Sequence, residues 1–368
     1  MFSRSFFSLK KALCISDKST VKIIQFPSFS SPTMSVDGVE IEESDWFLPI
    51  VLISVTSFIA LYMLRRFLKG GQFTERISAK NMVAVITGAN CGIGFETVRE
   101  LNLRKADVYM LCRNEEKANE AKRKLVRMGC DATRLHFIEC DLTDFESVRR
   151  AARELLDSVG TIDILINNAG IMFQNKHELT KDGHEKTWQS NHLGPFLLTE
   201  LLLPAIKKST YARIVNVSSL MHTRSGKINI ATVDDKKSFG MMKSYSQSKL
   251  ANVMHARALT KELRKDGAEH VTANSVHPGG VDTELTRNTI LVLPVIKQLS
   301  APFRWFFLKT SRDGAQTSLY VALSKKLGGI SGKYFADCKL AKENPLALDD
   351  QACQDLYNYS LEVTGLAK

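Results

Sequence analysis

Paired cysteines are missing from this chain of 368 residues. Cys14, Cys91, Cys112, Cys130, Cys140, Cys338 and Cys353 are scattered, and no two form a C-x-x-C pair. That argues against a zinc site and against a disulfide framework, and it suits a reducing compartment; no metal is expected. Also missing are any fixed-period repeat and any low-complexity tract, which argues against a solenoid. The net charge is +11, yet no stripe of Arg or Lys interleaved with aromatics is present, so no nucleic-acid partner is expected. A basic surface held near anionic lipid accounts for the charge better. What is present is an ordinary globular composition, 44% hydrophobic and 24% charged. The length fits one α/β domain of about 250–280 residues with appendages.

Charge is absent altogether from Trp46 to Leu64, "WFLPIVLISVTSFIALYML". At about 1.5 Å per residue such a helix crosses a hydrocarbon core of roughly 30 Å. Apolar residues cover every face and charge clusters bracket both ends, which favours a membrane anchor over a buried core helix. The cationic end, Arg65, Arg66 and Lys69, stays in the cytosol by the positive-inside rule, and so does everything after it. The expected division is a disordered extension over 1–45, a transmembrane anchor over 46–64, a basic linker over 65–80, a globular domain over 81–340 and a tail over 341–368. Residues 1–33 are rich in Ser, Lys and Phe, with Asp17 as the one acid; a transit peptide and a second start at Met34 both stay open. The expected setting is the endoplasmic reticulum membrane, crossed once, with a mitochondrial membrane as the alternative.

From Met82 onward, short apolar runs alternate with longer helical segments. Residues 82–87, 107–112, 135–140, 162–168 and 213–219 read as strands, and residues 93–105, 115–129 and 145–159 as helices. Strands separated by helices imply a doubly wound parallel sheet, Rossmann-like, covered on both faces.

"TGANCGIG", Thr87 to Gly94, links the first strand to the first helix. A strand, a glycine-rich turn and a helix make a pyrophosphate site, because helix-terminal N–H groups point at the anion and glycines let the backbone approach. The glycines stand at 88, 92 and 94, not in the G-x-G-x-x-G spacing. Further on come "NNAG" (Asn167–Gly170), Asn191 in "SNHLG", "NVSS" ending at Ser219, "YSQSK" (Tyr245–Lys249) and "HPGG" (His277–Gly280). With these six motifs in order, the region from Asn81 to Gly332 resembles the short-chain dehydrogenase/reductase family, and within it the membrane-bound retinol dehydrogenase branch.

The resemblance implies catalysis by Tyr245, Lys249, Ser219 and Asn191. Tyr245 would exchange a proton with the substrate oxygen, and Ser219 would orient that oxygen, with Ser218 the alternative that strand alternation alone leaves open. Lys249 would bond the nicotinamide ribose, and Asn191 would hold a water linking Lys249 to solvent. Tyr245 and Lys249 lie four residues apart on one helix face, where the ammonium is expected to pull the phenol below its usual value near 10 by about 1–3 units. The resemblance also implies a cofactor groove formed by Gly88, Asn90, Gly92, Ile93, Gly94, Asp141, Leu142, Asn168, Ala169, Gly170, Pro278 and Gly279, together with Tyr245 and Lys249. Asp141 would bond the adenine, cap the helix at Phe145, or do both. Where an NAD enzyme of the family usually has Asp, this chain has Cys112 followed by Arg113; a guanidinium suits a 2′-phosphate, so NADP(H) is the expected cofactor, and Glu115 and Glu116 keep NAD open.

The family's substrate-covering segment reads "TILVLPVIKQLSAPFRWFFLKT" here, Thr289 to Thr310, without an acid. It reads either as core helices or as an apolar, basic lid on the bilayer that admits a lipophilic carbonyl or alcohol such as retinal, another aldehyde or a steroid. Reduction is the expected direction. A non-catalytic NADPH-sensing membrane scaffold is the alternative function, and a homodimer is compatible with the sequence. Two sequons, at Asn216 and Asn358, bear on topology.

Overall fold

The computed structural model describes residues 35–36, 39–40, 44–282, 298 and 300–367. The expectations for residues 1–33, and for 289–297 and 299 of the apolar segment, lie outside them. The chain groups into two units, Met1–Leu61 and Tyr62–Lys368.

In the first unit a short antiparallel ladder pairs Ser35–Val36 with Val39–Glu40. Helix α1 (Ser44–Leu68) begins there. Its stretch Leu48–Leu68 is long and apolar enough to cross a membrane. Leu48, Ile53 and Phe58 on it are exposed.

The second unit holds the strands β1 (Val83–Thr87), β2 (Asp107–Cys112), β3 (Leu135–Glu139), β4 (Ile164–Asn167), β5 (Ala212–Val217), β6 (Val271–His277), β7 (Tyr334–Ala336) and β8 (Lys339–Leu340). The five strands predicted from sequence all form, with ends displaced by no more than two residues. Across the sheet the order is β8-β7-β6-β5-β4-β1-β2-β3, parallel except for the β7–β8 pair. Strand β1 pairs with β2 on one side and β4 on the other. The chain therefore winds outward to β3, returns to the middle and winds the opposite way. The loops leaving β1 and β4 part at this reversal, which opens a crevice at the carboxyl ends of the strands.

The helices of this unit are α2 (Gly92–Leu103), α3 (Glu115–Arg127), α4 (Phe145–Ser158), α5 (Gly194–Ile206), α6 (Met241–Lys265), α7 (Ala301–Phe307), α8 (Ser311–Leu323) and α9 (Asp350–Val363). Two apolar cores flank the sheet, as the period-2 alternation of strand side chains requires. Ala84, Ile86, Ile164 and Ile166 point to one face, where Val98 and Leu101 of α2, Leu125 of α3 and Leu319 of α8 meet them. Val85 and Leu165 point to the other, against Val148 and Leu155 of α4, Phe196 of α5 and Leu250 of α6.

Both segments set apart on sequence grounds are packed. In the stretch read as a linker, Phe73 and Ala79 are buried with α2 and α8. The Phe73 N–H donates to Gln316 (3.1 Å), and the Arg104 guanidinium lies 5.2 Å from the Phe73 ring centre. In the stretch read as a tail, α9 buries Cys353, Leu356 and Tyr357 with α5 and α6. The Tyr357 hydroxyl donates to Glu200 at 2.8 Å.

Candidate active site

The crevice begins at Thr87. Its hydroxyl oxygen accepts from the N–H groups of Asn168 and Ala169, each at 3.0 Å. Asn168 Nδ2 in turn donates to the Thr87 carbonyl at 2.9 Å. The end of β4 is thereby clipped to the glycine loop. Gly88 and Gly92 have φ of +62° and +58°, backbone that only glycine adopts freely. Gly94 is glycine for another reason: a Cβ there would lie 2.3 Å from the Gly88 carbonyl oxygen. Below the loop, the Cys112 thiol is pushed up to about 12 by burial, against the N–H groups of Ala89 and Asn90. It is a structural thiol.

Two cavities of about 260 and 270 Å³ share Gly88, Asn90, Ala169, Gly170 and Ile171, so they form one groove. One end holds Arg113, Asp141 and Leu142. The other holds Ser219, Tyr245, Lys249, Pro278 and Gly279. Gly92 and Ile93 line the cavity at the Tyr245 end, and Gly94 supports the loop from behind. A two-ended groove with helix-terminal N–H groups at its waist fits a dinucleotide. The sequence-predicted residues therefore come together along it, except that Gly94 and Asn191 stand behind its wall.

At the Tyr245 end, the two adjacent serines divide their work. The Ser218 hydroxyl is buried and donates to the Lys249 carbonyl at 2.7 Å, tying β5 to α6. Ser219 lines the cavity and hydrogen-bonds the Tyr245 side chain. Both serines line the cavity, and they differ in the partners of their hydroxyls. The Lys249 ammonium donates to the Val217 carbonyl at 3.0 Å and lies 5.7 Å from the Tyr245 ring centre.

The Tyr245 phenol does not follow the sequence expectation. Burial raises it above 10, and the Ser219 hydrogen bond only partly offsets this. Burial also pushes Lys249 down to about 8. Desolvation disfavours the charged form of each group.

Asn191 lies in a π-turn, Gln189–Leu193, that leads into α5. Its Oδ1 accepts from Ile171 N–H at 2.7 Å, and its Nδ2 donates to the Ile171 carbonyl and to Ser248 Oγ, both at 3.0 Å. The side-chain amide is thus committed to holding the β4 exit against α6. Between them, Gly170 leaves room: a Cβ there would be 3.2 Å from Lys249 Nζ and 3.3 Å from Asn191 Oδ1.

The floor next to Tyr245 is the turn after β6. His277 is held neutral, down to about 4, by burial and then by the Lys309 charge, and its Nδ1 accepts from Leu220 N–H at 3.2 Å. Gly279 has φ +94°, and a Cβ there would sit 2.6 Å from the stem of Lys309. Lys309 is buried and paired with Asp337. Lys309 had no signal in the sequence, because nothing local ties it to a turn thirty residues earlier.

At the far end, Arg113 is 59% exposed and its Nε is 3.9 Å from Asp141 Oδ2, a loose contact that leaves donors facing the groove. Asp141 Oδ1 accepts from the Thr143 N–H (2.9 Å) and hydroxyl (2.7 Å). The helix-capping role weighed for Asp141 belongs to Asp144, whose carboxylate accepts from Glu146 and Ser147 N–H at the start of α4. Asp141 stands one turn too early to reach those groups. Glu115 and Glu116 occupy the first turn of α3, where they complement the helix dipole, and they do not line the groove.

A family model described as short chain dehydrogenase matches residues 82–291. Retinol dehydrogenase 12 of Homo sapiens is 41% identical over 322 residues, covering 86% of this chain and 98% of that protein. Short-chain dehydrogenase TIC 32 B, chloroplastic, of Brassica napus is 38% identical over 297 residues, covering 79% of this chain and 91% of that one. Among solved structures, an uncharacterized protein from Mycobacterium paratuberculosis superposes with a TM-score of 0.63 at 31% identity, covering 80% of this chain and 98% of that chain.

Proposed function

The chain belongs to the short-chain dehydrogenase/reductase family, in its retinol dehydrogenase branch, and from that premise we propose that it moves hydride between NADPH and a lipophilic carbonyl or alcohol at a membrane. The observation that carries this reading is the meeting of Ser219, Tyr245 and Lys249 at one end of a groove whose other end holds Arg113. Bound NADPH supplies the hydride to the carbonyl carbon.

The chain's own residues do the rest. Tyr245, kept protonated by burial, donates its phenolic proton to the carbonyl oxygen as negative charge develops there. Ser219 hydrogen-bonds the same oxygen and the phenol, which fixes their separation. Lys249, charged below about 8, stabilises the phenolate left behind. Asn191 holds the Ile171 backbone and Ser248 so that Lys249 keeps its place. In the oxidative direction Tyr245 takes the proton back. Ile93, Ile171, Met172, Val217 and Val281 wall the cavity with apolar surface, which suits a greasy substrate.

NADP is favoured over NAD because the groove ends in an exposed guanidinium, with buried Cys112 where an acid would repel a 2′-phosphate. The proposed anchor is α1, and the basic residues Arg65 and Arg66 in its last turn support a cytosolic folded unit. The endoplasmic reticulum is the proposed compartment, and imaging the chain with and without residues 1–33 tests it against mitochondria. A glycan on Asn358 would overturn the cytosolic placement; Asn216 is buried in β5 and stays unmodified in either topology. A non-catalytic scaffold is not favoured, because it gives no reason for the Ser219–Tyr245–Lys249 arrangement.

The test is a panel of lipophilic aldehydes, ketones and alcohols with NADPH and NADH in parallel. Turnover of one or more, faster with NADPH, is expected. No turnover with either cofactor would refute the enzyme reading.

A further inference from the structure

Helix α7 is built inside out. Its charged residue, Arg304, turns inward and donates to Asp282 at 2.9 Å. Its aromatics turn outward: Phe303 is 65% exposed, Trp305 66% and Phe307 46%. A surface helix in water does the reverse. The tilted rings of Phe303 and Phe307 pack on each other with centres 4.4 Å apart, which gathers exposed apolar surface together. Large exposed apolar patches mark contact with something other than water.

Its neighbour identifies the occupant. The Arg65 guanidinium lies 5.4 Å from the Trp305 ring centre. Arg65 sits in the last turn of α1, at the cationic end of the stretch long enough to span a bilayer. A cation at that position marks the level of the lipid headgroups, and Trp is the residue enriched there. Arg65 is buried, and its Nε and Nη1 have no hydrogen-bond partner among the described residues. Arg66 and Lys69 are exposed on the same end of the helix. Cations beside aromatics form the surface that anionic headgroups recognise.

The patch is also tied to the catalytic cavity. Asp282, which holds Arg304, follows Val281, a residue of the cavity wall. Val281 bridges to Lys309 just after α7, and Lys309 packs on Gly279.

We infer that α7 docks on an anionic lipid bilayer: Phe303, Trp305 and Phe307 sit among the headgroups and upper acyl chains, the exposed Arg66 and Lys69 face lipid phosphate while buried Arg65 holds Trp305 beside them, and the wall of the catalytic cavity is held at the membrane surface. Substrate dissolved in the bilayer then reaches Tyr245 without crossing bulk water. This rests on the proposed lipophilic-substrate reading and specifies how such a substrate arrives.

The chain has three tryptophans, Trp46, Trp188 and Trp305, and Trp188 is buried. The test uses the full chain carrying Trp46→Phe, reconstituted in phosphatidylcholine–phosphatidylserine vesicles whose acyl chains are brominated near the headgroup. Trp305 fluorescence is expected to be quenched, and adding Trp305→Phe should abolish that quenching while Trp188 emission persists. Equal fluorescence with and without bromine would overturn the docking. So would loss of the quenching signal into a concentration-dependent dimer, which would assign the patch to a second copy of this chain. A second arm compares Phe303→Ser/Trp305→Ser/Phe307→Ser with the parent on a carbonyl dissolved in vesicles and on a short water-soluble one. The ratio of the two activities should fall about tenfold, given what burying one aromatic side chain contributes. An unchanged ratio would overturn lateral delivery. Absence of carbonyl activity in the parent would defeat the functional proposal alone, since the quenching arm decides docking without any turnover.

Discussion

Lys249 directs its ammonium at the Val217 carbonyl, 3.0 Å away, and stands beside Tyr245 with 5.7 Å between Nζ and the ring centre. The lysine is thus anchored to the end of β5, and the tyrosine meets its charge through space.

That anchoring has a cost that can be measured. Burial holds Lys249 at about 8, below its ordinary 10.5, so the charged form destabilises the fold at neutral pH. The penalty is full below pH 8 and is relieved as pH rises from about 8 towards 10.5. Lys249→Met should therefore stabilise the protein at pH 7, by on the order of 3 kcal/mol less the lost Val217 hydrogen bond. Its activity should fall by about a hundredfold or more. Thermal unfolding in detergent at pH 7 and pH 10 checks the sign: the gain should shrink at the higher pH. In the parent, carbonyl reduction should decline as pH rises through about 8, where Lys249 loses its charge.

The two serines at the end of β5 should fail in different ways. Ser219→Ala should lose about tenfold or more in rate, because its hydroxyl serves the phenol and the cavity, and about 0.5–1 kcal/mol in stability, because it also accepts from the Met221 N–H at 3.2 Å. Ser218→Ala removes a buried hydrogen bond to the Lys249 carbonyl and should cost about 1 kcal/mol of stability. Tyr245→Phe should fold normally and lose activity by about a hundredfold to ten-thousandfold. Unchanged turnover in Tyr245→Phe would remove the tyrosine from the mechanism.

Cofactor choice should move with Arg113. Arg113→Asp should shift the NADPH-to-NADH ratio of kcat/KM by about one to two orders of magnitude, the worth of a charge-assisted hydrogen bond. Steady-state kinetics with both cofactors decide it, and a constant ratio would show that the guanidinium reads nothing.

Two glycines offer a matched pair. Gly94→Ala would place a methyl 2.3 Å from the Gly88 carbonyl oxygen and should abolish cofactor binding along with much of the stability. Gly160 has no atom within 4 Å of its Cβ position, so Gly160→Ala should be neutral or stabilising by about 0.4–1 kcal/mol. Calorimetric NADPH binding and melting curves on both variants give the comparison.

How far the sequence could be read depended on whether a property was local. The strands were legible because unbroken apolar runs such as Ile164–Ile166 are buried on both faces. The residues gathered along the groove were legible through short motifs with fixed internal spacing. What escaped was set by distant neighbours. The direction of the Tyr245 shift depends on how much protein encloses it. The choice of Asp144 over Asp141 as the α4 cap depends on one helical turn. The Lys309–Gly279 contact joins two turns with α7 between them.

Phe73 sets a limit on how the enzyme can be handled in the laboratory. The segment after α1 is part of the wall: Phe73 lies beneath Arg104, which also donates to the carbonyls of Glu75 and Ile77 at 2.9 and 3.0 Å. A soluble form trimmed at residue 80 would open a greasy slot between α2 and α8 and should aggregate. One that starts near Gly70 keeps the strap and its seat. The same boundary governs grafting: a foreign anchor can be spliced on ahead of this strap, but not in place of it.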